Sequence, residues 1–392
     1  MMRLLLAIAA LFVAPLAHAE TIAITHAHVM DGAHEVQDAT IVVSNGRIAS
    51  VSAKGPVPAD ARVIDVAGRP VTPALSAAAT QIGIVGIGGE DSAVTSGALN
   101  VSRAVDPNAL TIQDARALGV AHAMVFPSTG SGAISGSGAM LYLKPGADPV
   151  ETPVAAVFAV PAADQGNGSR SAAWAAIRDA LNDTSDADLN AVVAGRIPLA
   201  IKANRESDIL QAIALSREFG IRVVVMGGAE AWRVADELAS SKVAVIVDPL
   251  DDLPFTYDSI ASRRDNAAIL SRAGVRMAFM VSGLTVYLSY NVGTALREGA
   301  GLVAANGLSR AEALRAITTG PSLVWTGNEA QGLVAGAPAD LVIWDGDPLE
   351  PASAADQVII AGKEVSPVTR RTMLRDRYHP SRMNDPLPPA YR

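Results

Sequence analysis

Leu199-Ala200-Ile201-Lys202-Ala203 is an apolar run interrupted by a single cation, and Ile221-Arg222-Val223-Val224-Val225-Met226 is a second such run. Between them, Ser207 to Phe219 places apolar residues at helical spacing, and Gly220 closes the segment. Two strand patterns joined by a helix of this length make a βαβ unit, which requires parallel strands. Outward from that unit the pattern repeats, with strand runs at Ile82–Ile87, Val120–Phe126, Val154–Val160, Val243–Val247 and Val275–Val281. Helical stretches such as Ala229–Ala239 lie between them. Ser309 and Glu312 form a capping box, Leu308 is placed to staple onto Ala313, and Gly320-Pro321 reads as the stop of that helix. The expectation is an α/β fold, a (β/α)8 TIM-like barrel over residues 73–330. Seven strands are legible, and the eighth is expected inside 161–196.

The flanks read differently. Ile22-Ala23-Ile24, Thr40 to Val43, Ile48 to Val51 and Val63-Ile64 are short β runs, with Asn45-Gly46 as a two-residue hairpin signal. β character returns at Leu341 to Trp344 and Val358 to Ile360. Residues 20–72 and 331–365 are therefore expected to form one small β-sandwich split between the two ends, and 366–392 an extended tail. Met1-Met2-Arg3, the apolar run Leu4 to Ala14 and Ala17-His18-Ala19 read as a signal peptide over 1–19, cleaved before Glu20. A periplasmic protein with no membrane span after cleavage is expected.

The chain has 392 residues with a formal charge of −8, 50% hydrophobic and 18% charged, which sets disorder aside for most of it. Its acidic balance, with no dense Lys/Arg stripe, argues against nucleic acid as a partner. With no cysteine, disulfides, thiolate metal sites and thiol nucleophiles are all excluded. A small-molecule ligand or substrate is the expected partner, and oligomerisation stays open.

Three segments resemble the amidohydrolase superfamily, in particular its exported imidazolonepropionase-like members. Val63-Ile64-Asp65-Val66-Ala67-Gly68-Arg69-Pro70-Val71-Thr72-Pro73-Ala74-Leu75 is similar to the family's entry into the barrel. Asn306-Gly307-Leu308 through Thr318 is similar to its last barrel helix. Gly332-Leu333-Val334-Ala335-Gly336, followed by Ala339-Asp340-Leu341-Val342-Ile343-Trp344, is similar to the return into the β unit. The resemblance implies hydrolysis of a non-peptide C–N bond in a small amide or cyclic amide. It also implies a divalent metal, usually zinc, that activates water.

The family's ligand positions are substituted here. The D-A-H-x-H stretch of the first strand reads Ala77-Ala78-Ala79-Thr80-Gln81, so Ala79 and Gln81 stand where the resemblance places histidines. The fifth-strand motif reads Ile201-Lys202-Ala203-Asn204, the sixth falls at Met226-Gly227-Gly228, and the eighth-strand aspartate position holds Ser282. Past the signal segment the histidines are His26, His28, His34, His122 and His379, and a catalytic zinc needs three or four protein ligands. No metal site is expected. His26-Ala27-His28 lies in the β unit well before the barrel and reads as an exposed strand face, and His122 as a hydrogen-bonded strand residue. Gly130-Ser131-Gly132 through Gly138 reads as a flexible βα loop near the active face, and Asp186 and Asp188 as a solvated turn.

The polar residues left at the mapped mouth are Gln81, Lys202, Asn204, Glu230, Asp248 and Ser282. Lys202, Glu230 and Asp248 are the candidates for acid–base work, with Gln81, Asn204 and Ser282 lining the pocket. The bland alternative is that Lys202 replaces a lost metal charge in a structural ion pair with Asp248 or Glu230. Two functions follow: a C–N hydrolase, or a metal-free barrel serving as a periplasmic binding or scaffold protein. An open pocket converging on Lys202 and Asn204 favours ligand chemistry, and a closed, packed one favours the scaffold.

Overall fold

The computed structural model describes residues 20–84, 100–127, 133–161, 169–183, 185–250, 254, 256–280 and 291–379. The expected signal segment 1–19 and Ser282 lie outside the described residues. Five strands open the chain: β1 (Ile22–Met30), β2 (Glu35–Ser44), β3 (Arg47–Ala53), β4 (Arg62–Asp65) and β5 (Pro70–Pro73). Asn45 and Gly46 have φ of 52° and 76°, the left-handed pair of a type I′ hairpin joining β2 to β3.

The barrel sheet follows as β6 (Leu75–Thr80), β7 (Val120–Val125), β8 (Ile134–Tyr142), β9 (Val150–Ala159), β10 (Leu199–Ala203), β11 (Val223–Gly227), β12 (Ala244–Val247) and β13 (Met277–Phe279). These eight strands are hydrogen-bonded in chain order into a nearly closed TIM-like barrel. β6 and β7 are parallel, as are β9 through β13. β8 runs antiparallel to both its neighbours, so seven strands share one direction and one is reversed.

Helices α1 (Leu110–Ala117), α2 (Arg170–Asn182), α3 (Ala187–Val193), α4 (Glu206–Phe219), α5 (Ala235–Ser240), α6 (Asn266–Arg272), α7 (Val292–Ala305), α8 (Arg310–Ala316) and α9 (Gly320–Thr326) accompany the barrel. Ile209 and Ile213 of α4 show how they pack: they share the outer core with Leu199, Ile201, Val223 and Val225. Gly220, at φ 65°, takes the left-handed position that ends α4. Among the described residues no helix is long and apolar enough to cross a membrane.

The chain then returns to the first sheet through β14 (Leu341–Trp344), β15 (Ala355–Ile360) and β16 (Lys363–Glu364). β14 lies antiparallel between β5 and β15, giving the order β16-β15-β14-β5-β1-β2-β3 with β4 on β1. Both ends of the chain therefore build one hydrogen-bonded sheet. Ile24, Ile41, Val43, Ile343 and Ile359 belong to a core of its own. Asp340 joins the two bodies: Tyr142 donates its hydroxyl to the carboxylate at 2.8 Å, and His122 lies 3.3 Å from it while stacking on Tyr142. Burial, reinforced by the Asp340 charge, pushes the Tyr142 phenol far above its ordinary value.

Five expectations are corrected. The first barrel strand is Leu75–Thr80, not Ile82–Ile87; residues 82–84 form a turn and 85–87 lie outside the described residues. Its alanines lack a β-branched signature, but every residue of it is buried. The eighth strand is not in 161–196, whose described residues form α2 and α3. It is Ile134–Tyr142, which overlaps the stretch Gly130 to Gly138 read as a loop; residues 130–132 of that stretch lie outside the described residues. A Cβ on Gly138 would sit 2.4 Å from Phe158 Cε2 and 2.7 Å from Val125 O, so small residues there let a strand approach closely. Asp186 is the N-cap of α3, accepting from the backbone N–H of Asp188 and Leu189, and Asp188 accepts from Ser137 Oγ. Gly320-Pro321 opens α9 instead of only ending the preceding helix, because proline is tolerated in a first turn. In the tail, Arg370–Tyr378 is a helix, α10, nucleated by reciprocal Thr369 and Thr372 caps and tied down by Arg371 Nη1 on Asn291 Oδ1 at 2.6 Å.

Candidate functional site

In a barrel, the ends of the strands and the loops after them form the reactive face. Alternation decides which side chains point there. Along β10, Leu199, Ile201 and Ala203 join the outer core, whereas Ala200 joins the cluster inside the barrel. Lys202 stands two residues on from Ala200, on the inner face, and is exposed. Beneath it the interior is filled. Met124, Phe158, Met226, Met280 and Trp325 belong to the inner cluster. Phe158 lies 5.5 Å from Phe126 and 5.8 Å from Trp325 between ring centroids. Trp325 comes from α9, and its indole N–H donates to Ala78 O at 2.7 Å. Any ligand chemistry is therefore confined to the rim.

The polar residues expected at this rim divide by what they hold. Among the described residues Lys202 makes no ion pair, so the structural pair with Asp248 or Glu230 is not what the structure shows. Glu230 Oε2 accepts the backbone N–H of Glu206 at 2.9 Å. Glu206 is the first residue of α4, and Arg205 before it makes no side-chain cap, so Glu230 supplies the missing cap from another loop. Asp248, only 7% exposed, follows β12 and accepts the N–H of Leu250 through Oδ1 at 2.9 Å. Asn204 Oδ1 faces the N–H of Ala229 at 3.4 Å, and its backbone carbonyl accepts from Glu230 N at 2.8 Å. Gln81 follows β6, half-buried, and its carbonyl accepts from Ile84 N. Asn204 and Asp248 share one cleft; Lys202, Glu230 and Gln81 do not line it.

Local backbone makes that cleft. Gly227, at φ 96°, lets β11 end hard against Asn204, whose Oδ1 lies 2.2 Å from where a Cβ would stand. Gly228 accepts Asn266 Nδ2 on its carbonyl at 2.9 Å, drawing the N-terminal end of α6 over the gap. Asn266 and Trp325 are the residues that sequence reasoning missed. For Asn266 the available signal was the polar run Arg263 to Asn266 at the start of a helix.

Among the described residues the donor set does not fit a metal. Ala79 is fully buried and has no donor. His26 pairs with Asp65 at 2.9 Å and His28 with Glu35 at 2.6 Å, both in the first sheet. His34 turns to Asp31, and His122 to Asp340. His379 follows α10. None of these five imidazoles comes from a barrel-strand end at the mouth. Among the described residues no three His, Cys, Asp or Glu side chains form a group that would hold a metal ion.

Residues 195–369 match the model of the Amidohydrolase family. No curated protein matches the sequence. Among solved structures, an amidohydrolase from Thermotoga maritima MSB8 superposes with a TM-score of 0.78 at 22% identity, over 88% of this chain and 99% of that one. A 5-methylcytosine deaminase from Klebsiella pneumoniae gives 0.60 at 18% identity, covering 88% and 97%. N-isopropylammelide isopropylaminohydrolase from Burkholderia multivorans ATCC 17616 gives 0.58 at 17%, covering 88% and 98%. Residues 195–369 are thus similar to the Amidohydrolase family, and over 88% of its length this chain shares the fold of the Thermotoga maritima amidohydrolase.

Proposed function

We propose that the protein hydrolyses a non-peptide C–N bond in a small amide or cyclic amide at the barrel rim, using its own side chains in place of a histidine-bound metal. Lys202 carries this reading. It is an exposed ammonium on the inner-facing register of β10, at the position the resemblance gives to a metal ligand, and no described carboxylate neutralises it. A cation there stabilises the oxyanion that develops when water adds to an acyl carbon. Asp248, held by Leu250, is the carboxylate assigned to take the proton of that water. The acyl carbon gains the water oxygen, the C–N bond breaks, and the nitrogen leaves protonated. Glu230, engaged in capping α4, is left out of the reaction. The family match and the hydrolase and deaminase neighbours support the reaction class. The basic-apolar-small pattern of residues 1–19 supports work in the periplasm.

A second reading is a metal-free binding protein. It is favoured by the packed barrel interior and by the structural duties of Glu230 and Asn204. A panel of small amides and lactams, assayed for released amine with and without chelator, separates the two. The hydrolase reading expects turnover that the chelator does not change and that Lys202→Met lowers at least about 100-fold, the scale of losing one oxyanion donor. Full activity in Lys202→Met, or activity abolished by the chelator, overturns it. Saturable binding without turnover selects the second reading.

A further inference from the structure

The cleft between the ends of β10, β11 and β12 and the start of α6 holds an unspent acceptor. Asn266 is 5% exposed, and its Oδ1 has no hydrogen-bond partner among the described residues. Its orientation is fixed: Nδ2 donates to Gly228 O, and a flipped amide would set two oxygens against each other. A buried amide oxygen left unpaired costs about 1–3 kcal/mol, so such an atom calls for a donor from elsewhere. Across the cleft stands Asn204. Its Oδ1 is taken by the turn at Ala229, while its Nδ2 donates to no acceptor among the described residues. Gly227 and Gly228 bring the two carboxamides together, since one packs against Gly227 and the other bonds Gly228. The cleft encloses about 30 Å³, so the amide edge of a ligand enters it and the rest of the ligand stands outside.

We propose that this cleft is an amide-reading subsite: Asn266 Oδ1 accepts an N–H of the ligand, and Asn204 Nδ2 donates to its carbonyl. A secondary amide in the cis arrangement of a small lactam offers that donor and acceptor side by side, as does a primary carboxamide. The inference deepens the hydrolase reading by naming what the rim recognises and rests on it for the ligand class. The contacts themselves require no turnover.

The test uses the full mature chain labelled with ¹⁵N, titrated with 2-pyrrolidinone and separately with N-methyl-2-pyrrolidinone, which keeps the carbonyl and lacks the N–H. Saturable shifts of the Asn204 and Asn266 side-chain amide signals are expected with the lactam, with affinity for the N-methyl analogue at least about tenfold weaker. Equal affinity for the two, or shifts that leave both side-chain signals unmoved, overturns the subsite. Asn266→Ala, folded by circular dichroism, is expected to lose the discrimination; Asn204→Ser, which leaves the Gly228 bond intact, checks the second contact if Asn266→Ala does not fold. Lactam binding without hydrolysis leaves the subsite standing while the hydrolase reading fails. Hydrolysis without N–H discrimination does the reverse.

Discussion

At the level of single residues, a glycine shapes the rim as much as the polar groups do. Gly227 holds φ at 96° and leaves no room for a Cβ beside Asn204 Oδ1. Gly227→Ala should therefore cost about 2 kcal/mol or more, combining left-handed strain with a steric clash. Urea unfolding of the purified protein measures it, and a loss under about 0.5 kcal/mol would mean that Asn204 is free to move aside. The polar candidates were legible in the sequence as types and positions, because the resemblance fixes where each strand ends. Their duties were not. That Glu230 caps α4 depends on a loop twenty-four residues away folding back onto Glu206, a contact no local pattern announces. Asn266 was missed because its meaning lies in one unpaired oxygen, which exists only once Gly228 has claimed the amine.

Elements show a sharper division between what local pattern dictates and what packing overrides. Leu199–Ala203, Glu206–Phe219 and Val223–Gly227 form nearly as their periodicity predicts, since a β-branched run and an amphipathic helix each bury one obvious face. Ile134–Tyr142 fails locally: Gly136 and Gly138 argue for a loop. It becomes a strand because Gly138 must lie flat beneath Phe158 and the Val125 carbonyl. The consequence is a reversed strand in an otherwise parallel barrel. Helix ends also carry measurable electrostatics. Arg315 on α8 grips Glu329 beyond α9, with Nη2 to Oε2 at 2.6 Å, and Thr319 Oγ1 donates to the same carboxylate at 2.9 Å. The Arg315 bonds hold the Glu329 carboxyl below its ordinary value of 4.5. A depressed carboxylate stabilises the fold above its unfolded value, and that contribution disappears as pH falls through the folded one. Glu329→Gln should thus lose less than about 1 kcal/mol at neutral pH, the scale of a partly exposed pair. The gap to wild type should close as urea midpoints are followed down from about pH 5. A gap that widens on acidification would contradict the assignment.

Across the whole molecule, two bodies depend on each other because the chain leaves the first sheet, builds the barrel and comes back. β14 pairs with β5, Arg69 bridges to Asp356 at 2.6 Å, and Asp340 takes hydrogen bonds from barrel strands β7 and β8. Arg297 of α7, 4% exposed, donates to the carbonyls of Pro348, Glu350 and Ser353 and lies 4.5 Å over the Trp344 ring, which locks the return loop onto the barrel. This architecture was readable from β patterns at both ends flanking repeated βα units. The reversed strand and the packed interior were not, because both depend on which aromatic fills the centre. That centre is the crux. Phe158, Met226 and Trp325 occupy the inside of the barrel, and all five imidazoles after residue 19 lie away from the strand ends at its mouth. The deciding question is therefore whether the rim works without a bound metal. Elemental analysis of the purified protein, dialysed and then dialysed again after zinc loading, answers it. Metal at background is expected in both samples. About one equivalent of retained zinc, released by Lys202→Ala or Asp248→Ala, would contradict it.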